Sequence, residues 1–128
     1  MYSMAEFDLT TELSTLLSQY SNEVAEDVKR VCRDVSTEMT DSIIRDSPKR
    51  PKLGSKYSKG WKVKVEYEDN NNIRLRTYNA TNYQLTHLLE YGHAKRGGGR
   101  VEGKPHIAPN EDKAKRDLVE RIERAIQK

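Results

Sequence analysis

The residues whose chemistry comes first into question are three histidines, His87, His93 and His106, and a single cysteine, Cys32. A zinc site needs three or four converging ligands, commonly two of them one helical turn apart and a third from another element. His87 and His93 are six residues apart, with a helix end expected between them, and no second cysteine exists to complete a set. Cys32 falls inside an amphipathic repeat, where a thiol behaves as a small buried hydrophobe. The serines lack the Gly-x-Ser-x-Gly setting of a nucleophile elbow. Gly97-Gly98-Gly99 is no phosphate loop, because neither Gly-Lys-Ser nor Gly-Lys-Thr follows it and dinucleotide-binding spacing is absent. The expectation is a protein with no catalytic residue, no metal and no cofactor.

Charge offers more. Lys49, Arg50 and Lys52 lie in one basic stretch, and Lys62, Lys64, Arg74 and Arg76 fall on one face of an expected hairpin, near Tyr57 and Trp61. Cations beside aromatics suit a phosphate backbone and stacked bases. A small RNA-binding or ribonuclease toxin-like domain is therefore the alternative reading. Passive contact with DNA crossing a channel is its weaker form. The charge is also uneven along the chain. Residues 1–46 carry ten acids against four bases, and the remainder carries nineteen bases against ten acids, within a net +3. Such a chain can dock head to tail on copies of itself or on complementary partners.

The elements that would position these groups follow from periodicity. Leu9, Leu13, Leu17, Tyr20, Val24, Val28, Val31, Val35, Met39 and Ile43 recur in steps of three and four, which predicts an amphipathic helical segment over 1–46, with a break at Ser21–Asn22. Ser47-Pro48 ends it, and residues 47–60 read as a basic loop. Trp61, Val63, Val65 and Tyr67 alternate with Lys62, Lys64 and Glu66, and Ile73, Leu75 and Thr77 return after Asp69-Asn70-Asn71-Asn72, which predicts a β-hairpin over 61–78 with the apolar side half-buried. A short helix is expected over 83–91 with Leu85, Leu88 and Leu89 inward, closed by Gly92. Residues 93–104 read as a flexible, glycine-rich basic loop. Pro105 to Pro109 look extended, as a short third strand would. Asn110 is the expected cap of a last helix over 110–127, with Ala114, Leu118, Ile122, Ala125 and Ile126 on one stripe.

The whole is one domain, 1–128, of α+β class: a long N-terminal and a C-terminal helix packed on a small, mainly antiparallel sheet, with a short helix and a long loop between. Hydrophobic residues make up 34% of the chain and charged residues another 34%, so the core is thin and burial against neighbouring subunits is expected. A lone cysteine suits a reducing cytoplasm. No apolar run is long enough to span a bilayer, and the N-terminus has acids where a signal peptide has bases, so no membrane role is expected.

One stretch is specific. Leu85-Thr86-His87-Leu88-Leu89-Glu90-Tyr91-Gly92-His93, the Gly/Arg segment, then Gly103-Lys104-Pro105-His106-Ile107-Ala108-Pro109 and a charged helix resemble the small head–tail joining, or tail-completion, proteins of long-tailed bacteriophages, a gene-ten-like family. Tyr57-Ser58-Lys59-Gly60-Trp61-Lys62-Val63 resembles the strand entry of that family. The resemblance covers about residues 55–125, and the N-terminal helix only in kind; Asn110 stands where many members have Ala. It implies a structural virion protein of the neck and tail junction, assembled in the host cytoplasm. The implied partners are head-closure (stopper), tail-terminator and tail-tube proteins. The implied assembly is a homo-oligomeric ring, six-fold like a tail tube. The segment that would meet a partner comprises His87, Glu90, Tyr91, Gly92, His93, Arg96, Arg100, Lys104, Pro105 and His106. In that reading Glu90 takes a helix-end or intersubunit cation or is a plain surface glutamate. The cations of the loop reach for acidic faces such as a neighbour's first helix.

Overall fold

A computed structural model describes residues 21–49 and 56–127. The elements run α1 (Asn22–Asp46), α2 (Lys56–Lys59), β1 (Trp61–Glu68), β2 (Ile73–Asn79), a 3-10 turn (Tyr83–Leu85), α3 (Thr86–Tyr91), β3 (Gly92–Ala94), β4 (Arg100–Glu102) and α4 (Ala108–Ile126). The class is α+β, as expected. The first half of the long apolar repeat, Leu9 to Tyr20, lies outside the described residues, as do Arg50 and Lys52.

Helix α1 begins where the repeat predicted a break. The Ser21 hydroxyl accepts from the Val24 N–H at 3.3 Å, a side-chain N-cap, with Glu23 in the positively polarised first turn. Its end is closed twice. The Ser47 backbone N–H bonds the Ile43 carbonyl at 2.9 Å, and the Lys49 ammonium donates to the carbonyls of Ile44, Arg45 and Ser47 at 3.0–3.2 Å. The buried face of α1 carries Ala25, Val28, Cys32, Val35, Met39 and Ile43. It packs against Ala114, Leu118, Ile122 and Ala125 of α4 on one side and Ile73 and Leu75 of β2 on the other. A bidentate pair, Arg121 to Glu38 at 2.6 and 2.8 Å, ties the two helices at the rim.

The β1–β2 hairpin forms with Trp61 opposite Asn79, Val63 opposite Thr77 and Val65 opposite Leu75. A bulge between Val65 and Tyr67 then resets the register, so Tyr67 faces Arg74 and Glu68 faces Ile73. Asp69 builds the turn: its carboxylate accepts from the Asn71 N–H at 2.9 Å and from the Asn72 amide at 2.8 Å. Only half of the apolar side is covered, contrary to the alternation read along β1. Ile73, Leu75 and Thr77 are buried, but Val65 is 48% and Tyr67 54% exposed. Helix α1 touches both strands, and its Lys29 and Arg33 both bond Glu68 at the end of β1, so ionic contacts and not apolar cover tie the helix to that end of the strand. Lys29 is itself buried; its three N–H groups meet Glu26, Glu68 and the Asp69 carbonyl, all within 2.9 Å.

Four further expectations change. Residues 56–59, read as loop, make one helical turn because Tyr57 is anchored: its carbonyl accepts from the Asn79 amide at 2.8 Å and from the Gly60 N–H at 3.1 Å. Leu88 faces outward, and of Leu85, Leu88 and Leu89, all expected inward, Leu89 alone is buried. The glycine-rich segment closes as a second small antiparallel hairpin, β3–β4, with His93 opposite Val101. Residues 105–109 form no strand; α4 starts at Ala108, two residues before the expected cap Asn110.

The uneven cover of the first hairpin makes a sharp contrast testable. Leu75→Ala should cost about 2–5 kcal/mol by denaturant unfolding, whereas its cross-strand partner Val65→Ala should change stability by less than about 0.5 kcal/mol. Equal losses at both positions would show that β1 is covered as well as β2.

Candidate functional site

The segment from α3 to the start of α4 is organised by one carboxylate. Within α3, Thr86, Leu89 and Glu90 turn inward, and Glu90 is only 1% exposed. Its Oε1 accepts from the N–H of His106 at 2.8 Å and of Ile107 at 2.9 Å, and its Oε2 accepts from the Ala108 N–H at 3.0 Å. These are the orphan donors at the start of α4, which has no side-chain cap from its own cap residue, Ile107. A glutamate from another helix supplies the cap, and its charge sits at the positive end of the α4 dipole.

His106 completes the clamp. Its Nδ1 lies 3.0 Å from Glu90 Oε1 and 2.8 Å from the Lys104 carbonyl, and its Nε2 lies 2.7 Å from the Tyr57 hydroxyl. Nδ1 faces only acceptors, so it carries a hydrogen, and Nε2 shares a hydrogen bond with the Tyr57 hydroxyl. The rings of Tyr57, Trp61 and His106 meet edge to face, 5.6–6.2 Å between centroids. The Trp61 N–H donates to the Ser47 hydroxyl at 3.0 Å, which joins the clamp to the end of α1. Asn110 adds a second tie, donating to Asp46 at 3.0 Å and to the His106 carbonyl at 2.7 Å.

Burial alone would push the Glu90 carboxyl up, but the His106 ring and the N–H groups of His106, Ala108 and Ile107 outweigh it and hold the pKa at about 2. Burial, then the neighbouring Glu90 charge, pushes the Tyr57 hydroxyl well above the usual phenol range. The chain Glu90–His106–Tyr57 has hydrogen bonds reminiscent of a proton relay. All three side chains are enclosed, so the arrangement serves to lock α3, α2 and the root of α4 together.

Two glycines let the backbones meet here. Gly92 ends α3 with φ +81°, and a Cβ on it would sit 2.3 Å from the Val101 carbonyl oxygen. A Cβ on Gly103 would sit 2.4 Å from the Gly92 nitrogen. The Lys104 N–H reaches the Leu89 carbonyl at 2.8 Å, and the Arg100 guanidinium donates to the Tyr91 carbonyl. The β3–β4 hairpin is thus rooted on the same clamp.

The expected partner-facing residues therefore divide. Glu90 and His106 lie inside the fold and neither presents its side chain outward, because the backbone N–H groups at the start of α4 need them. Gly92 is buried at the root of the hairpin, and His93 is half-buried. His87, Tyr91, Arg96, Arg100, Lys104 and Pro105 are exposed, and the His87 and Tyr91 rings touch, 5.0 Å between centroids. Tyr83, 68% exposed, and Leu88 extend this outward stripe of α3. On the basic face, Lys49 is spent on the end of α1. Lys62, Lys64 and Arg74 are exposed, Lys64 lies over the Tyr78 ring at 5.3 Å, and Arg76 pairs with Glu66 at 3.5 Å. Tyr57 and Ser47 were not expected as members; the inward spacing of Thr86 and Glu90, four apart, was the available signal for Glu90. Cys32 is buried in α1, and burial pushes its thiol up to about 11. Among the described residues no group of three His, Cys, Asp or Glu side chains is arranged to hold a metal ion. Nor is any described helix long and apolar enough to cross a membrane.

The geometry is that of an α+β fold with a closed internal clamp beneath exposed aromatic side chains. Residues 9–92 match the family described as "Bacteriophage HK97-gp10, putative tail-component", and the chain belongs to that family. Its role is structural, its place is the virion and its neighbours are other phage tail and neck proteins. The match includes the N-terminal repeat, where the resemblance read from sequence was only of kind, and its last residue is Gly92, at the root of the β3–β4 hairpin. No curated protein and no solved structure matches the chain.

The clamp has a pH signature. The folded-state pKa of Glu90 lies below the ordinary value of 4.5. Its contribution is therefore complete above about pH 5 and lost as pH falls toward about 2, on the order of 3 kcal/mol in all. Glu90→Gln should lower the urea midpoint at pH 7 and flatten the decline of stability between about pH 5 and pH 2.5 relative to wild type. Parallel acid limbs for the two proteins would mean that the carboxylate does not cap α4.

Proposed function

We propose that this tail component acts at the junction of neck and tail, where it completes the tail and joins it to the head as a ring of identical subunits. The chain is assembled in the host cytoplasm and has no enzymatic activity; its work is done by shape and charge at contacts between protein copies. Head-closure, tail-terminator and tail-tube proteins are the neighbours.

The observation that carries this reading is the outward stripe of α3. Leu88 and Tyr91 of α3 and Tyr83 of the preceding turn are large hydrophobic side chains left in solvent, with His87 among them, and the opposite face of α3 is fixed by the buried Glu90 clamp. Aromatic side chains held in place but unburied are what a protein interface needs at its centre. A rigid support below them lowers the ordering cost of docking. The exposed Val65 and Tyr67 of β1 give the chain a second apolar area to bury against a different surface.

Removal of Gly97–Gly99 should leave the thermal unfolding midpoint of the purified chain within a degree or two, since the backbone bonds of the tip, Lys95 N–H to Gly99 and Gly98 N–H to Lys95, are local to the turn. A phage carrying that deletion should produce separate heads and tails in electron micrographs. Normal numbers of joined virions would rule out a joining role for the segment. A purified chain that hydrolysed RNA, with activity lost on a single side-chain change, would overturn the reading altogether.

A further inference from the structure

The β3–β4 hairpin has an uncommon construction: a rigid root and an empty tip. At the root, Gly92 and Gly103 pack backbone on backbone beside the clamp, and Arg100 bonds the Tyr91 carbonyl. At the tip, Gly97, Gly98 and Gly99 all have positive φ, at 86°, 114° and 82°, and nothing of the chain lies within 4 Å of where a side chain would begin at Gly97 or Gly98. The segment 92–104 carries four cations against one acid, a net of +3, and every one of those five side chains is exposed. Lys95 and Arg96 form no ion pair among the described residues. The hairpin is an arm with a fixed direction and an unspent charge.

A matching surface exists on the same chain. The outward stripe of α1, in steps of three and four from Glu23 to Arg45, holds five carboxylates against two guanidiniums, a net of −3. Its two arginines are used locally, on Asp27 and Asp46, and Glu38 is used on Arg121. Glu23, Asp34 and Asp41 form no ion pair among the described residues.

We infer that the arm of one copy docks on the acidic α1 stripe of the next, Lys95 and Arg96 meeting Asp34 and Asp41. This rests on the ring reading and gives it a contact. The two surfaces are different patches of one chain, so the contact is heterologous and repeats from copy to copy until it closes. Exposed pairs add little affinity each. Their effect is on orientation and on the exclusion of wrong dockings, with the apolar stripe of α3 supplying area. Equal and opposite net charge on arm and stripe favours this occupant over nucleic acid, which would leave the acidic stripe without a counterpart.

Charge reversal tests it on the full-length chain, by native mass spectrometry and sedimentation at low salt. K95E/R96E alone and D34K/D41K alone should each lose the oligomeric species seen for wild type, with circular dichroism unchanged. An equimolar mixture of the two should regain it, because acidic arms then face basic helices and basic arms face acidic ones, in alternating oligomers. Oligomers that persist in K95E/R96E would overturn the arm contact and leave the ring reading standing, whether or not that variant loses affinity for duplex DNA. Two variants that each fail alone and also fail when mixed would overturn it as well. A wild-type chain that stays monomeric at all concentrations would remove the ring reading and the arm contact together.

Discussion

The arrangement depends on a buried carboxylate taking three backbone N–H groups at the start of α4. A helix end inside a protein is costly unless its donors are met, and α4 begins against the core, under α3. Glu90 meets them with a full negative charge at the positive end of the helix dipole, and the interaction fixes the relative placement of α3 and α4. His106 and Tyr57 extend the same constraint to the short helix α2, and Trp61 to the end of α1. Four elements that are distant in sequence thus share one polar knot, in a protein whose apolar fraction is too small to set their positions by packing alone.

Much of this was legible in the sequence at the level of elements. The α1 repeat from Val24 to Ile43, the hairpin around Asp69–Asn72 and the stripe of α4 followed directly from spacing, because period and turn chemistry are local properties. What failed was what depends on distant partners. Asn110 looked like a cap because it precedes acids at a helix start; a carboxylate eighteen residues upstream of Ala108 does that work instead, and Asn110 sits inside the helix with its amide on Asp46. Val65 alternated correctly for a buried position, yet cover depends on where distant elements lie, and α1 meets the end of β1 through the Lys29 and Arg33 contacts to Glu68 while Val65 stays exposed. Glu90 and His106 were read as partner-facing because polar residues in a family motif suggest contact. Both are buried in support of the fold, while their neighbours His87 and Tyr91 face outward.

The site therefore has two layers. The inner one is polar and closed, and the outer one is apolar and cationic and exposed. In the proposed role this combination would matter, because a stripe on a wobbling helix would lose part of its contact energy to ordering. The knot holds α3 at one orientation, and the glycine pair at positions 92 and 103 transmits that orientation to the β3–β4 hairpin.

The enclosure of Cys32 has a practical consequence for work on whole particles. The sole thiol of the chain is sealed within α1 and weakly acidic, so it stays silent toward maleimides and iodoacetamide while the protein is folded. A cysteine introduced at the hairpin tip would be the one reactive sulfur in the subunit. Spin labels, fluorophores or gold clusters could then mark every copy at a known point, with no background from the native residue.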